Sequence, residues 1–164
     1  MKTVVLKFGG TSVGSVDRIK RVANIILSYR KKKYRVIVAS SAMSGVTNDL
    51  ISKSKLISKS FDRAEYDTLL SSGEQVACSL IAGRLKHLGY NSRSWMCWQI
   101  PIITDGPYSN SRIHKIDTKK IINFLKLGGI PIIAGFQGVN FESRITTLGR
   151  GGTDASAIML AKFF

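Results

Sequence analysis

Short continuous apolar runs alternate along this chain with stretches whose apolar positions recur every three or four residues. The two periods predict strands and helices in turn. Thr3-Val4-Val5-Leu6 is the first strand-like run. Over residues 16–30, Val16, Ile19, Val22, Ala23, Ile26 and Leu27 keep helical spacing, with lysines and arginines on the other face. Lys31-Lys32-Lys33 closes that helix, where positive charge suits the helix dipole. Arg35-Val36-Ile37-Val38-Ala39 reads as a second buried strand, and the hydroxyl-dense loop 40–48 opens a helix near Asn48. Residues 52–62 are polar and lysine-rich, a connection or a helix end.

A long helical segment starts at Ala64, with an interruption expected at Ser71-Ser72-Gly73-Glu74. Ser71 and Glu74 have capping-box spacing, which predicts a fresh helix from there to His87, stopped by Gly89. Ser92-Arg93-Ser94-Trp95 and Ile100-Pro101-Ile102-Ile103 carry strand signals, and Asp105-Gly106-Pro107 is a turn. Residues 117–127 form an amphipathic helix ended by Gly128-Gly129. Ile130-Pro131-Ile132-Ile133-Ala134 is a strand with its proline tolerated near the start, and Gly135-Phe136-Gln137-Gly138 ends it. Residues 139–148 read as an extended excursion with a hairpin about Glu142-Ser143; the loop 149–154 opens a final helix at Ala155.

Strands that alternate with helices, several of them apolar throughout, predict a mainly parallel sheet covered on both faces, a three-layer α/β/α sandwich. Ligands of such sheets bind at the carboxyl ends of the strands. The polar loops after Leu6, Ala39 and Ala134 lie there and are expected to converge on one site.

Composition narrows the class. At 164 residues with 44% hydrophobic content, the chain can form one domain with a sizeable core. No apolar run approaches the ~18 residues that span a bilayer. With no signal-peptide pattern at the N-terminus, the expectation is a cytoplasmic protein without a membrane partner. Cys78 and Cys97 lack metal-type spacing and read as reduced core thiols; His87 and His114 stand alone, so no metal site is expected. The 25 lysines and arginines against 10 acids give +15, a field that attracts small anions. The basic residues are spread over helices and accompany no aromatic interleaving, so nucleic-acid binding is a minority reading.

The chemistry starts at Lys7-Phe8-Gly9-Gly10-Thr11-Ser12. Glycines let backbone N–H groups approach a phosphate, the following helix N-terminus adds donors, and Lys7 brings charge. The lysine precedes the glycines, which excludes the P-loop pattern. Four more motifs follow in order: 41–48, Ser72-Gly73-Glu74-Gln75, 134–138, and Thr146-Thr147-Leu148-Gly149-Arg150-Gly151-Gly152-Thr153-Asp154. Over its whole length the chain resembles the aspartokinases of the amino acid kinase superfamily.

That resemblance implies transfer of the ATP γ-phosphoryl group to the β-carboxylate of L-aspartate, the first step toward lysine, threonine, methionine and diaminopimelate. It implies Lys7 and Asp154 as catalytic residues, Lys7, Phe8, Gly9, Gly10, Thr11 and Ser12 as the ATP-phosphate cradle, and Mg2+ held mainly through the phosphates. Ser41, Thr47, Glu74, Arg150 and Thr153 are implied as the aspartate holders. Arg150 would clamp the α-carboxylate bidentately, and Glu74 would accept from the α-ammonium. Asp154 is expected near Lys7, orienting it. Taken singly, Glu74 reads as a helix cap, Ser41 and Thr47 as turn residues, Arg150 as a surface charge and Asp154 as the N-cap of the last helix. Within five ordered motifs the functional readings are preferred.

Cys97 stands where the family usually has glycine, and Thr153 where serine is commoner. Family members also continue beyond the equivalent of Phe164, with the remainder of the kinase domain and regulatory ACT domains. Residues 1–164 are therefore expected to be the N-terminal part of a C-terminally truncated amino acid kinase domain, with little or no turnover alone. A homodimer, or completion by the missing half, is the expected assembly. The competing readings are a kinase of the same superfamily with another substrate, a non-catalytic fragment or subunit needing a separately encoded partner, and a basic nucleic-acid binder.

Overall fold

The computed structural model describes residues 1–164. The first half of the chain contains β1 (Thr3–Phe8), α1 (Val16–Lys31), β2 (Arg35–Ser40), α2 (Val46–Ile57) and α3 (Arg63–His87). The second half contains β3 (Ser92–Trp95), β4 (Ile102–Thr104), β5 (Ile113–Ile116), α4 (Lys119–Lys126), β6 (Ile130–Ala134), β7 (Gln137–Val139), β8 (Ile145–Thr147) and α5 (Gly152–Phe163).

The main sheet has the order β1-β2-β6-β3, and all its pairings are parallel. Its two central strands, β2 and β6, read as nearly unbroken apolar runs because both faces are buried, whereas the edge strand β3 is polar and exposes Arg93. Val36, Val38, Ile130 and Ile132 pack with Ile19, Val22 and Ile26 of α1 and Ala77, Ile81 and Leu85 of α3. The alternate residues Ile37, Ala39 and Ile133 pack with Ile121 and Leu125 of α4 and Leu160 of α5. This is the expected three-layer arrangement. No helix is long and apolar enough to cross a membrane.

Three expectations need correction. First, α3 is one unbroken helix of 25 residues. Asp62 caps it by accepting from the N–H groups of Ala64 and Glu65. Ser71 and Ser72 do not restart it; their hydroxyls fold back onto the carbonyls of Thr68 and Leu69 at 2.8 and 2.7 Å. Gly73 serves packing instead of a break, since a Cβ there would lie 2.8 Å from the Cβ of Ala42 in the β2–α2 loop. Tertiary contact overrides local propensity here.

Second, a smaller mixed sheet of order β5-β4-β7-β8 lies beside the parallel one. The expected hairpin is its β7–β8 pair, and Gln137-Gly138, read as the end of β6, opens β7. Asn140 Oδ1 accepts from the N–H groups of Glu142 and Arg144 to hold the turn. Third, α5 begins at Gly152, with Gly151 (φ +77°) as its N-cap, so Asp154 sits inside the first turn and does not cap the helix. Cys78 and Cys97 are both free and buried. Desolvation pushes the Cys78 thiol well above the ordinary thiol range and that of Cys97 up to about 12.

Candidate functional site

A cleft of about 380 Å³ opens where the carboxyl ends of β1 and β2 meet the N-termini of α2 and α5. Its walls come from the loops after β1, β2, β6 and β8 and from one residue of α3, Glu74. The loops after β1, β2 and β6 converge as their strand ends predict, and Lys7, Gly9, Gly10, Ser41, Thr47 and Glu74 all line the cleft. Arg150, Thr153 and Asp154 line it as well, Thr153 and Asp154 from the first turn of α5.

Phe8, Thr11 and Ser12 are placed differently. Phe8 is buried in the core against α1 and α3, because strand alternation turns it away from Lys7. Thr11 and Ser12 line a separate shallow groove with Arg18 and Arg21. The Arg18 guanidinium donates to the Thr11 carbonyl, and the Ser12 N–H is spent on Gly9 O at 2.9 Å. The Gly9 and Gly10 N–H groups are spent on no backbone partner. Those two amides remain to face an anion.

Lys7 Nζ lies 2.9 Å from Asp154 Oδ1, with the lysine one-third exposed and the aspartate more so. The pair joins β1 to the first turn of α5. Solvent screening makes its contribution to stability small; its consequence is orientation of the lysine, whose Nζ lies against Gly9. Ser41 Oγ donates to Thr153 Oγ1 at 2.9 Å, which ties the end of β2 to the same helix turn.

Two backbone features allow this approach. A Cβ on Gly135 would lie 2.6 Å from Thr153 Cγ2, so only glycine lets α5 start this close to the end of β6. Phe136 follows with φ +67°, a left-handed conformation unusual for an aromatic residue. Its N–H donates to Ser156 Oγ at 3.1 Å, and its carbonyl accepts from Leu148 N–H at 2.9 Å. Strain of about 1–2 kcal/mol is held by those two bonds. Phe136 belongs to the 134–138 motif but carries no site role on sequence grounds; here it lines the cleft.

Glu74 is the buried charge of the site, at 3% exposure. Its Oε1 accepts from Ala42 N–H at 2.9 Å, while Oε2 has no partner. Desolvation raises its pKa from the ordinary 4.5 to about 7, outweighing the backbone hydrogen bonds that lower it. A buried acceptor left unpaired is uncommon and costly. Lining a cleft, it presents an acceptor to a cationic or N–H-bearing ligand group.

Arg150 lines the cleft and is exposed, between Gly149 (φ +73°) and Gly151 (φ +77°), and enters none of the chain's ion pairs. The cleft thus gathers two sets of groups: Lys7 with the glycine amides, suited to an anion, and an acceptor, a guanidinium and hydroxyls. That arrangement can bind a small zwitterion and hold a further group of it toward a phosphate.

Comparison with known proteins gives the same direction. The amino acid kinase family model matches residues 2–164. The aspartokinase of Rickettsia bellii is 46% identical over 98% of this chain, and Aspartokinase 2 of Bacillus subtilis 45% identical over 98%. The chain spans about 40% of the length of these curated relatives. Among solved structures, aspartate kinase from Synechocystis superposes with a TM-score of 0.81 at 38% identity, covering 98% of this chain and 26% of that one. Escherichia coli aspartokinase III, solved in complex with aspartate and ADP, has a TM-score of 0.83 at 23% identity, covering 99% and 46%, and attests the shared fold.

Proposed function

Since the chain belongs to the amino acid kinase family, we propose that it carries the aspartate site and part of the phosphate site of an aspartate kinase, transferring the ATP γ-phosphoryl group to the β-carboxylate of L-aspartate. The observation that carries this reading is the buried, half-satisfied Glu74 carboxylate facing the same cleft as the Lys7–Asp154 pair.

An aspartate side chain with a reference pKa of about 3.9 is ionised at neutral pH, so the nucleophile needs no strong base. It needs neutralised charge and in-line placement. In this reading Lys7 Nζ neutralises the phosphoryl oxygens, Asp154 Oδ1 aims the lysine, and the Gly9 and Gly10 amides hold phosphate oxygens. Arg150 takes the α-carboxylate, Glu74 Oε2 the α-ammonium, and Ser41, Thr47 and Thr153 add hydroxyl contacts. Mg2+, held mainly through the ATP phosphates, would supply further charge neutralisation beside Lys7 and the Gly9 and Gly10 amides. A cytoplasmic location and a homodimer fit the same reading.

The 40% share of its relatives' length favours a second element in the proposal. Residues 1–164 hold aspartate, and efficient turnover needs a further segment or subunit that holds the nucleotide. Calorimetric titration with L-aspartate, L-glutamate and N-acetyl-L-glutamate tests the substrate, and hydroxylamine trapping of acyl phosphate tests turnover. Aspartate is expected to bind in preference to the others, with little hydroxamate formed by this chain alone. Absence of aspartate binding refutes the substrate assignment; hydroxamate formed at a full enzyme's rate refutes the need for a second segment.

A further inference from the structure

The same helix that presents Glu74 buries a second carboxylate seven residues earlier. Asp67 has no exposed surface, yet no lysine or arginine contacts it through a hydrogen bond or ion pair. Four donors satisfy it. Oδ2 accepts from the N–H groups of Ser109 and Thr147 at 2.8 and 2.7 Å, and Oδ1 accepts from their hydroxyls at 2.8 and 3.0 Å. An ion buried without a countercharge is expensive, and four convergent donors are what makes it tolerable.

What those donors belong to gives the inference. Thr147 ends β8 and lies three residues before Arg150. Ser111 N–H donates to the Thr147 carbonyl at 3.0 Å, and the Ser109 carbonyl packs so closely on Gly149 that a Cβ there would lie 3.0 Å from it. Ser109 is itself held at φ +65°. Asp67 therefore fastens both segments that flank the base of the Arg150 loop. Along an unbroken helix, seven residues turn nearly two full circles and rise about 10 Å, so Asp67 and Glu74 share one face. α3 is a ruler with the Glu74 acceptor at one mark and the root of Arg150 at the other.

We propose that Asp67 is a positioning residue that sets the distance between the Arg150 guanidinium and the Glu74 carboxylate, and so selects the span between the two charged groups of the ligand. This rests on the reading of Arg150 and Glu74 as holders of an amino acid's α-carboxylate and α-ammonium. Asp67 touches no ligand itself.

Asp67→Ala and Asp67→Asn in the 164-residue chain separate positioning from general stability. Asparagine can keep the geometry: its carbonyl oxygen takes the two N–H groups, and its amide faces two hydroxyls able to rotate and accept. Calorimetry should show L-aspartate binding weakened about tenfold or more in Asp67→Ala and within about threefold of wild type in Asp67→Asn. Hydrogen exchange should quicken at 147–151 in Asp67→Ala alone. The titration midpoint of the Glu74 carboxyl, followed by carbon NMR, should not move, since Ala42 holds it independently. Wild-type affinity in Asp67→Ala, or a displaced Glu74 midpoint, overturns the proposal. If the wild-type chain does not bind aspartate, the substrate reading fails on its own, and unchanged exchange at 147–151 then overturns the positioning role. If Asp67→Ala does not fold, Thr147→Val, which removes one hydroxyl and keeps the N–H, must show the same quickened exchange; unaltered exchange there sinks the idea.

Discussion

Glu74→Gln offers a quantitative test of the site's electrostatics. In the native chain the carboxyl titrates at about 7, against an ordinary 4.5, because burial outweighs the backbone hydrogen bonds. Between those values the native state holds a proton that the unfolded chain has released. Stability contributed by that proton is complete below pH 4.5 and lost as pH rises through about 7, after which the slope vanishes. The gap corresponds to about 3 kcal/mol over the window. Glutamine keeps the acceptor for Ala42 N–H and removes the ionisation. Urea denaturation of both proteins from pH 4.5 to 8.5 should give nearly equal stabilities at the acid end. By pH 8 the glutamine variant should lead by about 3 kcal/mol. A difference that stays within about 0.5 kcal/mol across the range would refute burial as the cause. The ligand carries the same signature. At pH 6 the free carboxyl is roughly nine-tenths protonated, and an ammonium group beside it drives the proton off. Calorimetry in two buffers of different ionisation enthalpy should therefore report nearly one proton released per aspartate at pH 6 and almost none at pH 8.5. Glu74→Gln should release none.

Two further substitutions probe the guanidinium and the backbone. Arg150→Lys keeps the charge but loses the planar fork, so L-aspartate affinity should fall about tenfold while urea stability stays within about 0.5 kcal/mol; equal affinity by calorimetry would remove the bidentate role. Gly135→Ala places a methyl 2.6 Å from Thr153 Cγ2. Pushing α5 off the sheet should cost about 1–3 kcal/mol in thermal or urea unfolding and weaken aspartate binding as well; an unchanged midpoint would show that α5 yields freely.

The parallel sheet was legible because strands buried on both faces need unbroken apolar runs, and Arg35-Val36-Ile37-Val38-Ala39 and Ile130-Pro131-Ile132-Ile133-Ala134 supply them. The site was legible for a related reason: hydroxyls and glycines cluster where such strands end. Other features depend on contacts distant in sequence. Nothing near Gly73 announces that Ala42 lies against it, so a helix-breaking composition in 71–74 reads as a break that the packing denies. β4, β7 and β8 have three residues each, too few for a period to show, and β5 alternates weakly in Ile113-His114-Lys115-Ile116. Asp67 has a local signal, its position seven residues before Glu74 on one helix face. Its partners Ser109 and Thr147 become visible only once the second sheet is built.

The place of β6 has a consequence for how the chain acquires its shape. β6 is the strand that joins β2 to β3, although 51 residues, including α2 and the whole of α3, lie between β2 and β3 in sequence, and 34 more lie between β3 and β6. β1 and β2 can pair as soon as both exist, but β3 has no sheet neighbour until residues 130–134 arrive. The part of the cleft around Lys7 can thus begin to form early, whereas its closure waits on the same late strand, whose final residue leads into Gly135 and Phe136. During synthesis the apolar flank of β2 remains open through that interval, awaiting its insertion. Long-range parallel pairing of this kind is slow and exposes sticky edges. Substitutions in 130–136 should therefore be felt first as lost soluble yield, before any loss of ligand affinity is measured.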